Sequence, residues 1–244
     1  MSAVPTDVRL IDEPRVGERR SLSERWSPRA RAYFFTIAAV AGAASFPLLA
    51  HVRAGTSGWP TFIAFATTAA VAQLFVVRTP RNQSYHTTIV FLIPAAMLLP
   101  PEFIALMGLI QHVPEWLKNR NAWFSQTFNI CNYTLAVIAA WGSFHAIHGA
   151  SSIIPNGDVR FALGGLAAAV ALVAVNHTLL APMLHLGYGH SIRELGIFSF
   201  ESLSTDLVLA MLGVGIGTFW HSNPWLIPFA VAPLLLIHRS LSVP

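Results

Sequence analysis

Long apolar runs alternate with short polar segments along most of this 244-residue chain. Several runs approach or exceed about 18 residues, the length at which an apolar stretch becomes a candidate transmembrane helix. Apolar and polar residues do not alternate one by one, as they would in the strands of a transmembrane barrel. The pattern therefore predicts an all-α fold, a polytopic transmembrane helix bundle with about eight membrane helices.

The predicted helices differ in length, and two of them are short. They cover approximately residues 32–51, 60–77, 86–99, 102–116, 122–147, 161–185, 203–220 and 224–237. Pro100 and Pro101 separate the third from the fourth. At about 1.5 Å per residue, each of these two falls short of a hydrocarbon core of about 30 Å. The pair therefore forms either two short spans or a re-entrant helical hairpin inside the bundle, which would leave six full spans.

Charged residues lie mainly in the N-terminal segment and between the predicted helices. Residues 1–31 contain seven Arg, five acidic residues and three Pro, so we expect a basic, largely disordered tail there and a single transmembrane helical domain at 32–244. With the N-terminus inside, all 15 Lys and Arg residues except Arg53 and Arg160 lie in cytoplasmic segments. The positive-inside rule then predicts that both termini are cytoplasmic, and the expected location is the cell inner membrane.

Composition excludes several classes of protein. Hydrophobic residues make up 54% of the chain and charged residues only 11%, whereas soluble domains carry about 25% charged residues. The Lys and Arg residues that orient the chain in the membrane account for the net charge of +4, so no nucleic-acid partner is expected. Cys131 is the only cysteine, which rules out an intrachain disulfide and a cysteine-based zinc motif.

Polar side chains concentrate in residues 111–132, where two predicted helices meet at a basic hinge. Helical spacing puts His112 and Glu115 on one face of the fourth helix, and three amides share one stripe of the fifth. Polar residues of the sixth and seventh helices fall at a similar depth. Because polar groups at membrane depth are costly, they are candidates for a ligand-binding cavity in the cytoplasmic half of the bundle. The candidate ligand-binding residues are His112, Glu115, Gln126, Asn129, Asn132, Asn176, His177 and Asp206.

The same residues allow other interpretations. Amides and histidines in membrane bundles often only join neighbouring helices, and each such hydrogen bond contributes about 0.6 kcal/mol. Two histidines and two acids have the chemistry of metal ligands or of a proton relay; they are His112, Glu115, His177 and Asp206. The chain contains no HExxH, CxxC or GxSxG motif, so no metal, cofactor or catalytic residue is assigned.

Glycines in the sixth and seventh helices have a simpler explanation. Gly213, Gly215 and Gly217 follow no predicted strand, so they do not form a phosphate-binding loop. Together with Gly164 and Gly165, they are expected to let neighbouring helices approach closely.

Three stretches carry a resemblance to a known group of proteins. They are Trp123-x4-Phe128-Asn129-x2-Asn132; Val175-Asn176-x-Thr178-Leu179-Leu180 followed by Gly189-His190-Ser191-Ile192-Arg193-Glu194; and the closing stretch from Pro233 to Ser240. Through these three stretches, residues 32–244 resemble the N-terminal membrane region of certain bacterial signalling proteins. Those proteins carry a C-terminal diguanylate cyclase (GGDEF) or HD-type phosphohydrolase domain. The resemblance implies a multi-helix sensor domain in cyclic di-GMP signalling.

The resemblance does not reach an output domain. The sequence ends at Pro244 without a GGDEF or HD motif, so the chain itself is not expected to be an enzyme. Any catalytic domain would lie beyond residue 244.

The leading hypothesis is a sensory or regulatory membrane module. A small ligand or membrane cue would bind the polar cavity, and the last helix would pass the signal to a cytoplasmic output domain or partner. The alternatives are a solute-binding transporter component, an intramembrane metalloenzyme, and a structural protein whose polar residues only pack helices. The expected partners are the lipid bilayer, a C-terminal signalling domain or partner protein, and a second copy of the chain as a homodimer.

Overall fold

The computed structural model describes residues 26–74, 76–78, 84–119, 122–189, 191–192 and 196–223. The elements in this part of the chain are α1 (Pro28–Leu49), α2 (Trp59–Gln73), β1 (Val76–Arg78), β2 (Ser84–His86), α3 (Ile89–Leu98), α4 (Pro101–Ile110), α5 (Val113–Asn119), α6 (Trp123–His148), α7 (Gly157–Tyr188) and α8 (Phe200–Ser222). The predicted helix at 224–237 and residues 1–25 of the predicted tail lie outside the described residues.

The predicted helical bundle is confirmed. Four helices, α1, α6, α7 and α8, are long and apolar enough to cross a membrane. Large apolar side chains remain exposed on their outer faces, such as Phe46 on α1 (77%) and Val208 on α8 (59%). Such continuous apolar surface is suited to contact with lipid. The total number of spans and the side on which each terminus lies stay predictions.

The first helix begins inside the segment predicted as tail. Ser27 caps it, because its Oγ accepts a hydrogen bond from the Ala30 amide at 3.2 Å, and Pro28 occupies the first turn. Trp26 is buried, with its ring centroid 4.6 Å from that of Phe124 on α6. The N-terminal end of α1 therefore packs against the start of α6.

The short helix α3 lies in the core of the bundle. It has ten residues, and eight of them are buried. At about 1.5 Å per residue its length is about 15 Å, half the thickness of a hydrocarbon core. Extended backbone at Leu99 and Pro100 separates α3 from α4, which also has ten residues. Whether the pair forms two short spans or a re-entrant hairpin stays a prediction.

Glycine on α8 allows this close packing against α3. A Cβ atom at Gly213 would lie 2.8 Å from the carbonyl oxygen of Val90, so only hydrogen fits there. The expectation of close packing is confirmed in the same way for Gly217, Gly164 and Gly165. It is wrong for Gly215, where an added Cβ would meet no atom within 4 Å.

The predicted fourth helix is not continuous. It consists of α4 and α5, separated by a turn at Gln111 and His112. Pro114 explains the break, because proline has no N–H and its ring clashes with the carbonyl four residues earlier. Within α5 it occupies the first turn, where no donor is needed.

A short ribbon replaces the ends of two predicted helices. β1 pairs antiparallel with β2, with Val76 opposite His86 and Arg78 opposite Ser84. The second predicted helix therefore ends at Gln73 rather than residue 77, and the third begins at Ile89 rather than residue 86. Residues 79–83, which connect the strands, lie outside the described residues.

Candidate functional site

Polar side chains gather where α4 breaks into α5. We call this group the break cluster: Gln73 from α2, Thr88, Gln111 and His112 from the turn, Glu115 from α5 and Gln126 from α6. Each is buried, from fully for His112 and Thr88 to 8% exposed for Glu115. Burial of so many hydrogen-bonding groups is costly unless they find partners, so their contacts decide what the cluster can do.

Gln73 is the centre of the hydrogen bonds in this cluster. Its Oε1 accepts from the Thr88 hydroxyl at 2.6 Å, and its Nε2 donates to Oε2 of Glu115 at 2.6 Å. The same Nε2 lies 3.5 Å from Nδ1 of His112, which is 3.6 Å from Oε2 of Glu115. One amide thus ties α2 to α5 and to the loop before α3. The sequence analysis missed Gln73, although a lone amide in an apolar helix was a usable signal.

Gln126 of α6 forms a hydrogen bond with the turn between α4 and α5. Its Nε2 donates to the backbone carbonyl of His112 at 3.1 Å, and this carbonyl also accepts from the Trp116 amide at 3.1 Å. The first bond fixes the orientation of the Gln126 amide, so that Oε1 is left as an acceptor. The break in the helix and the predicted stripe on α6 therefore form one structural unit.

Four atoms of the break cluster are buried without a hydrogen-bond partner in the described part of the chain. They are Nε2 and Oε1 of Gln111, Nε2 of His112 and Oε1 of Gln126. An unmet buried donor or acceptor costs about 1–3 kcal/mol. Unpaired groups in native proteins call for an occupant such as water, an ion or a ligand.

A second group, which we call the α7–α8 cluster, involves α6, α7 and α8. Asn132 Nδ2 on α6 donates to Asn176 Oδ1 on α7 at 2.7 Å. The next residue, His177, lies 2.9 Å from the Ile197 carbonyl oxygen through Nδ1 and 2.7 Å from Asp206 Oδ2 through Nε2. All four side chains are buried. The three long helices are thus joined by polar contacts at one level.

Tyr133 lies between the two clusters. Its ring centroid is 5.2 Å from that of His112, and its phenol lies within Coulombic range of both Asp206 and Glu115. The sequence analysis did not single it out, because a tyrosine in an apolar helix is ordinary. The single polar cavity expected from the sequence is therefore divided into two hydrogen-bonded clusters with Tyr133 between them.

The structure buries seven of the eight candidate residues, and Asn129 is only half-buried. The stripe on α6 therefore does not face one environment along its whole length. Gln126 and Asn132 point into different clusters, each with its own partner.

The four candidate metal ligands do not converge. Among the described residues, no group of three or more His, Cys, Asp or Glu side chains is placed to hold a metal ion. Instead they form two separate pairs, His112 with Glu115 and His177 with Asp206.

An apolar cavity of about 510 Å³ lies away from both polar clusters, along α6 and α7. The lining residues are Ser143 and Ile147 on α6, Ile154 on the connection, and Leu163, Leu166, Ala167, Val170 and Ala171 on α7. Several lining side chains are exposed on the outer surface of the bundle, such as Val170 at 51%. It is therefore a surface groove without the polar groups that fix the orientation of a polar ligand.

Comparison with protein-family models, with curated proteins and with solved structures finds no match to this chain. The resemblance to signalling-protein sensor regions therefore stays a prediction.

Proposed function

We propose that this protein is a membrane-embedded sensory or regulatory module that binds a small polar molecule at the break cluster. The observation that carries the proposal is the set of four buried, unpartnered atoms on Gln111, His112 and Gln126. A bundle built only for packing would gain stability by replacing such groups with apolar side chains.

The chemistry of these atoms defines the class of ligand. Gln126 presents only an acceptor, because its Nε2 is bound to the His112 carbonyl. Gln111 presents both a donor and an acceptor, and His112 presents one ring nitrogen. A complementary ligand is a small molecule with at least one donor and one acceptor, such as an amide or a hydroxyl compound.

The position of the site suggests how occupancy would be transmitted. A ligand shifts a conformational equilibrium only if it binds one state better than the other. The turn at Gln111 and His112 joins two short helices, and Gln126 connects it to the 26-residue α6. A ligand that forms hydrogen bonds with both the turn and Gln126 would hold α4, α5 and α6 in one arrangement. The proposed receiver is a cytoplasmic output domain or partner protein reached through the predicted helix at 224–237.

Native mass spectrometry of the full chain, purified in mild detergent, tests this function. We expect the wild-type protein to retain a small molecule that Gln111→Leu and Gln126→Leu lose. Asn129→Leu is the matched control, because it removes a half-buried amide one turn further along α6. If the wild type retains nothing and both leucine variants unfold at a higher temperature, the polar groups do not serve ligand binding.

A transporter component is the second candidate, and the break itself favours it. Many transporters bind solutes where membrane helices are interrupted and the unwound backbone lines the site. Here α3 and α4 are short, and the interruption before α5 carries the unpartnered polar atoms. Uptake of the retained molecule into liposomes containing the purified protein would favour transport, whereas binding without uptake would favour the sensory role.

A further inference from the structure

His177 joins three segments of the chain through two hydrogen bonds. Its ring belongs to α7, Nδ1 contacts the Ile197 carbonyl in the α7–α8 connection at 2.9 Å, and Nε2 contacts Asp206 of α8 at 2.7 Å. The side chains of the pair are buried, with 4% and 12% of their surfaces exposed. The unpartnered atoms of the break cluster take no part in these contacts, so a site here is independent of the proposed ligand site.

The atoms involved fix how many protons the pair holds. A carbonyl oxygen only accepts, so the bond to Ile197 requires a proton on Nδ1 of His177. A hydrogen bond between Nε2 and the Asp206 carboxyl requires one more proton, on either partner. The closed arrangement is therefore an imidazolium with a carboxylate, or an imidazole with a carboxylic acid, and both have zero net charge.

Loss of this proton would destabilise the closed arrangement. The neutral imidazole then has one N–H for two acceptors. With that proton on Nδ1, the lone pair of Nε2 faces a carboxylate oxygen 2.7 Å away; with it on Nε2, the lone pair of Nδ1 faces the Ile197 carbonyl oxygen 2.9 Å away. The net charge of the buried pair would change from zero to −1, and an uncompensated buried charge is strongly destabilising. The carboxylate is the stronger acceptor, so the proton stays on Nε2 and the hydrogen bond from Nδ1 to the Ile197 carbonyl is lost.

We propose that His177 and Asp206 form a buried binding site for one proton, whose occupancy decides whether the α7–α8 connection is held against α7. At low pH the proton is bound and the Ile197 carbonyl is hydrogen-bonded to His177. As pH rises the proton leaves and the connection is released. Under the predicted orientation this end of the bundle faces the cytoplasm, so the site would respond to cytoplasmic pH.

The groups around the pair are consistent with a single titrating unit. Asn132 and Asn176 on α6 and α7 carry no charge, and Tyr133 is the titratable group that α6 presents within range of Asp206. Glu201 is exposed one turn before Asp206 on α8, and His185 lies two turns after His177 on α7. Arg193 and Glu194 in the connection lie outside the described residues.

Nitrogen NMR of the wild-type chain in lipid nanodiscs, with ring-labelled histidines, tests the site. The measurement itself needs no substitution at the pair, and a variant is used only to assign the signals. His177→Gln identifies the signals of His177 among the ten histidines. We expect Nε2 to keep the proton that it shares with Asp206 as pH rises, while Nδ1 changes from the protonated to the unprotonated state. An Nδ1 signal that stays protonated over the whole folded range would overturn the proposal.

Thiol labelling tests the structural consequence. Phe198 is 48% exposed next to Ile197, so a Phe198→Cys reporter can be placed in a Cys131→Ser background. We expect the labelling rate, normalised to a free thiol, to rise several-fold as pH increases. Asp206→Asn should abolish that rise, because an amide can donate to neutral His177 at any pH. Asp158→Asn, an exposed acid at the start of α7, should retain it. Equal pH profiles with and without Asp206 would refute the switch.

Discussion

Gly108 of α4 lies in direct contact with Thr134 of α6. A Cβ atom added to Gly108 would be 2.7 Å from the Cα atom of Thr134, so the obstacle is backbone and not a movable side chain. This crossing brings the α4–α5 break beside α6, where Gln126 reaches the His112 carbonyl. The position of the candidate ligand site therefore depends on a glycine three residues before it.

Gly108→Ala should destabilise the protein and displace the break. Overpacking of a well-filled contact costs about 1–3 kcal/mol, and here α4 must move away from α6. Thermal unfolding in a fixed detergent measures the effect. Gly142→Ala on α6 is the control, because its Cβ would meet no atom within 4 Å. Equal unfolding temperatures for the two variants would contradict the predicted close crossing.

Gly213→Ala and Gly215→Ala should differ although they lie two residues apart on α8. The first places a methyl group 2.8 Å from the Val90 carbonyl oxygen, while the second points into open space. We expect Gly213→Ala to lower the unfolding temperature. Gly215→Ala should raise stability by about 0.5–1 kcal/mol, since alanine favours a helix over glycine. A Gly213→Ala variant as stable as Gly215→Ala would show that α8 does not pack on α3 in this register.

Gln73→Leu should cost about 1–3 kcal/mol of unfolding free energy. The reason is that the Thr88 hydroxyl and the Glu115 carboxylate each lose a buried partner. Adding Thr88→Val should recover part of the loss, because the hydroxyl is then no longer left unsatisfied. Chemical unfolding of both variants and of Thr88→Val alone gives the comparison. A double variant that is less stable than Gln73→Leu would contradict the proposed pairing.

Asn132 and Asn176 should be energetically coupled. Their side chains share a hydrogen bond of 2.7 Å between α6 and α7, and such bonds in membrane bundles average about 0.6 kcal/mol with a maximum near 1.7. A double-mutant cycle with Asn132→Leu and Asn176→Leu measures this coupling directly. Strict additivity of the two substitutions would mean that the bond contributes nothing to stability.

Residue pattern along the chain was enough to predict a helical membrane protein and the position of most of its helices. Apolar runs located the helices, because a helix long enough to cross a membrane needs a stretch of consecutive apolar residues, which can be read directly from the sequence. Pro100 and Pro101 marked the boundary between α3 and α4, because proline restricts its own backbone whatever surrounds it. Gln126, Asn132 and His177 were also located within those runs, and all three are buried.

How these elements combine could not be predicted, because it depends on contacts between helices that are distant in sequence. Gln73 bonds Glu115 across 42 residues, and His177 bonds Asp206 across 29. Such pairs depend on where distant helices cross, and those crossings are set by contacts such as that of Gly108 with Thr134. The interruption at Gln111 and His112 is likewise seen only in the structure, where Gln126 of α6 donates to the His112 carbonyl. Local pattern locates the polar side chains within apolar helices, but the packing of distant helices fixes which of them are buried and which of them meet.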